Sequence, residues 1–185
     1  MTSIDPKEAA STLSDIDSIA HRVRQSRIYH LANLMLILWG VAVFAGYLAT
    51  YLSPRNAGYV WPTVYIAGIA GSFAVSAFGY ARTRTRTFDV RTFTAFLLFM
   101  AFGIFVCWFG HFTPRQVGAF WPVYFMLAYT IAGLWVGYAF AAIGLSIIIL
   151  TLAGYFFAGD GFDLWMAFVN GGGLILGGLW MRRDG

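Results

Sequence analysis

The chain has 185 residues, of which 59% are hydrophobic, 19% aromatic and only 11% charged. A water-soluble domain carries about a quarter charged residues, so the composition excludes an ordinary soluble protein. The length leaves no room for a separate soluble catalytic domain beside a set of membrane spans. Its 12 basic and 8 acidic residues give a net charge of +4, an excess explained below by topology, so no nucleic-acid partner is expected.

Residues 1–27 are polar. Asp5, Pro6 and Glu8 have the pattern of a capped helix start. Ala9, Leu13, Ile16, Ala20 and Val23 then recur every three or four residues, opposite Asp15, Asp17, Arg22 and Arg24. This predicts a short cytoplasmic amphipathic helix, lying on the lipid bilayer surface or docking a protein partner. The apolar run that follows is too long for the core of a signal peptide, so it is expected to be a retained anchor.

Three apolar runs come next, at 29–52, 59–81 and 93–112. The stretch 118–159 contains no charged residue. It is too long for one span and suits two, at 118–137 and 141–159, joined by a tight turn near residues 137–141. A last run covers 163–181, with a tail at 182–185. The expected fold is an all-α membrane protein with six transmembrane helices at 28–181.

The charges support an even number of spans. With the N-terminus inside, the inner segments hold Lys7, Arg22, Arg24, Arg27, Arg82, Arg84, Arg86, Arg91, Arg182 and Arg183, and the outer loops hold Arg55 and Arg115. That asymmetry follows the positive-inside rule, whereas five spans would put Arg182 and Arg183 outside. Both termini are therefore expected in the cytoplasm. Arginine dominates the basic residues, as in GC-rich coding sequence, which points to a bacterial inner membrane.

Two outer loops repeat. Ser53-Pro54-Arg55-Asn56-Ala57-Gly58-Tyr59-Val60-Trp61-Pro62 aligns without gaps to Thr113-Pro114-Arg115-Gln116-Val117-Gly118-Ala119-Phe120-Trp121-Pro122. A third loop, Asp160-Gly161-Phe162-Asp163-Leu164-Trp165, keeps the tryptophan and loses Pro-Arg. Three helical hairpins descended from one are the expected architecture. In this reading Pro54 and Pro114 end the outward helices, and Gly58 and Gly118 free the turns. Pro62 and Pro122 open the returning helices. Trp61 and Trp121 sit at the interface, where Arg55 and Arg115 are candidates for contact with an anion or lipid head group.

Small residues mark helix contacts in lipid. Gly68, Ser72 and Ser76 form such a line, as do Ala128 and Ala132. Asn170, Gly171, Gly172, Gly173 and Gly177 weaken the last span, so they either pack closely or line a path through it. The run Arg82-Thr83-Arg84-Thr85-Arg86-Thr87 places Arg82, Arg84 and Arg86 against anionic lipid or a partner.

No motif in the sequence carries catalysis. No charged residue lies deep in a span, which removes the usual carboxylate of a proton-driven pump. Asn33, Ser72, Ser76, Thr130, Ser146 and Asn170 could line a modest polar path. His30 and His111 fall at opposite ends of the spans, roughly 30 Å apart, too far to share one haem, and His21 forms no metal pair with His30. Cys107 is the single cysteine, so neither an intrachain disulfide nor a cysteine metal set can form. No GxSxG, Walker or dinucleotide fingerprint occurs. No enzyme activity, cofactor or metal is expected.

In size and hairpin count the layout resembles small bacterial six-helix membrane proteins, including the HdeD-like acid-resistance family. No motif of that family falls on these residues, so the resemblance assigns no roles. The functional expectation is a non-enzymatic accessory or regulatory membrane protein, acting through partners or as a homo-oligomer. The alternative is a small channel or carrier for a neutral solute or lipid.

Overall fold

A computed structural model describes residues 31–83 and 90–184. The N-terminal amphipathic helix, His21, His30, Arg84 and Arg86 fall outside them, as does the side chain of Arg82. The described residues are almost entirely helical, and no strand occurs among them. Helix α1 covers Leu31–Leu52. A 3-10 turn, Pro54–Asn56, leads into α2, Ala57–Thr83. Then come α3, Val90–Phe109, α4, Pro114–Val136, and α5, Tyr138–Phe157. A 3-10 turn at Gly159–Gly161 precedes the short α6, Phe162–Met166. A π-helical turn, Ala167–Gly172, joins it to α7, Gly173–Asp184.

By length and composition, five helical stretches are apolar enough to cross a membrane: Leu31–Leu52, Pro54–Ala77, Pro114–Val136, Tyr138–Phe157 and Gly159–Arg182. Phe93–Phe109 is a shorter apolar helix. This is what a multi-pass membrane protein requires.

The turns correct part of the sequence reading. Pro114 does not end α3. It is the first residue of α4, capped by Thr113, whose hydroxyl accepts from the Gln116 N–H at 3.3 Å while Gln116 Oε1 accepts from the Thr113 N–H at 2.8 Å. That reciprocal pair is a capping box. Pro54 likewise opens the 3-10 turn rather than closing α1. Gly58 and Gly118 therefore lie inside helices, and Pro62 and Pro122 are helix-interior prolines. The physical reason is that proline suits the first helical position, where its missing N–H costs nothing. The α4–α5 turn shrinks to one residue, Gly137, with φ 156° and ψ 150°, a conformation essentially reserved for glycine.

Glycines set how closely the helices approach. A Cβ on Gly40 of α1 would meet the Gly171 carbonyl at 2.9 Å, and one on Gly171 would meet Phe44 Cβ at 2.5 Å, so α1 and the π turn touch backbone to backbone. Gly178 of α7 lies as close to Ile37 and the Asn33 carbonyl. Gly133 packs on Ala141 and Gly144 on Thr130, holding α4 against α5. Gly173 meets Ile147 and Gly177 meets Ile143, holding α7 against α5. Glycine costs about 1 kcal/mol of helix propensity relative to alanine, and the close approach it allows offsets that cost.

Helices α1, α4, α5 and α7 thus share the core. Leu36, Met126, Phe140, Ile143, Ile147, Leu174 and Met181 fill the end near Gly137, and Tyr47, Ala119, Phe162, Met166 and Ala167 the end near Pro114. Helix α2 leans on α1 through Trp39, which covers Gly68 and donates to Ser72 Oγ at 3.0 Å. Helix α3 leans on α4, where Phe99 stacks on Tyr124 at 4.0 Å. Most of the large apolar side chains of α2 and α3 remain exposed, including Ile66, Phe73, Phe102, Phe105 and Trp108.

Candidate functional site

A buried polar group lies toward the Pro114 end of the core, around Tyr47. Pro122 has no N–H, so the carbonyl four residues earlier, that of Gly118, loses its helical donor. The buried Tyr47 hydroxyl donates to that oxygen at 2.6 Å. The buried Asn170 lies on the π turn, whose first residue, Ala167, packs in the same core cluster as Tyr47. Trp61 closes the group with its ring edge-on to Tyr47 at 4.8 Å. Helices α1, α2 and α4 and the π turn therefore meet at one phenol.

Arg115 stands beside this group. It is half-buried, and its Nη2 donates to the Tyr155 carbonyl at 2.8 Å. Its guanidinium lies 5.5 Å from the Tyr155 ring centre and 5.2 Å from that of Phe162. Tyr155 is in the last turn of α5, where carbonyls lack intrahelical donors and the helix dipole favours a cation. A residue from the start of α4 thus caps the end of α5. Arg55, its counterpart in the aligned loops, is exposed. The paired arginines of the sequence occupy different environments.

The tryptophans behave alike. In each of three hairpins a tryptophan of the second helix covers a glycine of the first. Trp61 lies on Gly46, Trp121 on Gly103 and Trp165 on Gly154. Trp165 also donates to the Leu150 carbonyl at 2.9 Å.

The glycines of the last span divide by role. Gly171, Gly173 and Gly177 are packing positions, against Phe44, Ile147 and Ile143 respectively. Among the described residues nothing lies within 4 Å of a Cβ placed on Gly172. An apolar groove of about 340 Å³ runs between α5 and α7, with Gly173, Gly177, Ser146 and Trp180 among its lining residues.

Tyr47 and Thr151 escaped the sequence reading. Thr151 is fully buried on α5. Tyr47 left a signal, since Pro122 stands four residues after Gly118 and so orphans a carbonyl that needs an outside donor. Among the described residues, no three His, Cys, Asp or Glu side chains gather as metal ligands. His111 takes φ 48° in the turn between α3 and α4.

Compared with known proteins, the chain matches no family model, no curated protein and no solved structure.

Proposed function

We propose that this chain is a six-span protein of the bacterial inner membrane with both termini in the cytoplasm, acting without catalysis as an accessory or regulatory subunit. The observation that carries this reading is the placement of α2 and α3. Both flank the core and turn large apolar side chains outward, from Ile66, Ile69 and Phe73 to Phe102, Phe105 and Trp108. In a bilayer that outward face is open to lipid and to lateral contact with another membrane helix. The asymmetry of the loop arginines supports the orientation. The tryptophan-on-glycine contact common to the three hairpins supports their descent from one hairpin.

Arg55, Trp61 and Trp121 then lie at the outer interface, with Arg55 exposed to phosphate head groups, and Arg82, Arg84 and Arg86 meet anionic lipid or a partner inside. Arg115 is mainly a structural tie between α4 and α5. The partner is either another membrane protein, engaged laterally or through the N-terminal segment, or a second copy of this chain.

Gentle extraction of the tagged protein from its native membrane, followed by mass spectrometry, tests this. A stoichiometric protein partner or a defined homo-oligomer is expected. A monomer that moves solute alone in liposomes contradicts it and favours the second reading, a carrier for a neutral solute or lipid. That reading draws on the π turn, since irregular helix geometry often marks functional sites.

A further inference from the structure

Thr151 Oγ1 is buried and has no hydrogen-bond partner among the described residues. Four other helical threonines fold the hydroxyl back onto the carbonyl four residues earlier: Thr50 onto Gly46 at 2.9 Å, Thr63 onto Tyr59 at 2.9 Å, Thr94 onto Val90 at 2.8 Å and Thr130 onto Met126 at 2.8 Å. Thr151 does not make this bond, although it too lies inside a helix.

Its neighbours on α5 show what it faces. Gly154, three residues later, lies against Trp165, and Ile147, four residues earlier, lies against Gly173. All three α5 residues are buried on one face. Thr151 is therefore level with the π turn, Ala167–Gly172. There the Gly173 N–H is divided among the carbonyls of Phe168, Val169 and Asn170. An unpartnered hydroxyl on α5 thus lies level with a turn in which three carbonyls share one N–H.

We propose that Thr151 and the π turn hold one small neutral hydrogen-bond donor with the size and chemistry of water. The bound molecule donates to a carbonyl of the π turn and pairs with the Thr151 hydroxyl, which would otherwise carry the full cost of burial. The widened turn, which carries the buried Asn170, is kept as a polar station in the core. The site does not depend on how the protein sits in the membrane.

Thr151→Val tests this by the sign of its effect, because valine has the same shape and no hydroxyl. An empty site would let valine relieve an orphaned polar group and raise the melting temperature. An occupied site predicts a fall of about 2–4 °C, the shift that about one lost hydrogen bond produces in a chain of this size, with Thr151→Ser restoring the wild-type value. Difference infrared spectra of the wild-type protein in ordinary and 18O water give an independent readout. A buried O–H band that shifts with the isotope and disappears in Thr151→Val is expected. A melting temperature in Thr151→Val that is unchanged or raised overturns the proposal, and so does the absence of the isotope-sensitive band from the wild type.

Discussion

The hydroxyl of Tyr47 donates to the carbonyl of Gly118 at 2.6 Å, across 71 residues of sequence, and that carbonyl is the one that Pro122 leaves without a helical donor. Removing the phenol hydroxyl in Tyr47→Phe orphans a buried oxygen, which costs about 1–3 kcal/mol. Pro122→Ala restores an N–H four residues after Gly118, so the Tyr47 bond becomes partly redundant. Thermal unfolding of the two single variants and the double variant in mild detergent should show positive coupling, with Tyr47→Phe costing less in the Pro122→Ala background. Additive effects would mean that the tyrosine does not compensate the proline.

Adjacent glycines of the π turn should respond in opposite ways. A Cβ at Gly171 would sit 2.5 Å from Phe44 Cβ and 2.6 Å from its Cα, and backbone cannot move aside cheaply. Gly171→Ala is expected to cost about 1–3 kcal/mol or more. Gly172→Ala meets nothing and should be neutral or slightly stabilising, by up to about 1 kcal/mol of helix propensity. Melting temperatures of the two variants check the order, and the reverse order would contradict the packing described here.

The two loop arginines should separate in the same assay. Arg115 is tied to the Tyr155 carbonyl and lies over two rings, so Arg115→Gln should destabilise the protein by about 1–3 kcal/mol. Arg55 is exposed, and Arg55→Gln should stay within about 0.5 kcal/mol of wild type. Equal effects would show that the two loops are equivalent after all.

Gly137→Ala tests the one-residue turn. Its φ of 156° and ψ of 150° belong to a region that a side chain enters at a cost of about 1–3 kcal/mol. A lowered melting temperature with unchanged helix content by circular dichroism is expected.

The apolar runs, and the turn after the fourth of them, were legible because hydrophobicity and a glycine signal each are local properties. The capping box at Thr113 and Gln116 is equally local, yet proline reads from the sequence as the end of a helix when here it begins one. The bond from Tyr47 to Gly118 joins distant segments, so the sequence offers only half of it, the orphaned carbonyl. The π turn shows in the sequence as weakened helix at Asn170-Gly171-Gly172-Gly173. Whether such glycines pack or open a path depends on what stands opposite, and the contacts of Gly171, Gly173 and Gly177 with Phe44, Ile147 and Ile143 arise only once the helices are assembled. The different surroundings of Arg55 and Arg115 arise the same way, since α5 ends beside one and not the other.

Six spans with both ends inside are the centre of the proposed function. The most direct measurement needs only one native cysteine removed: in a Cys107→Ala background, one cysteine is placed at Asn56→Cys and, in a separate protein, one is appended after Gly185. Intact cells are treated with a membrane-impermeant maleimide, before and after permeabilisation. The account predicts labelling at position 56 in intact cells and at the C-terminus only after permeabilisation. Labelling of both positions in intact cells, or of neither, would contradict it.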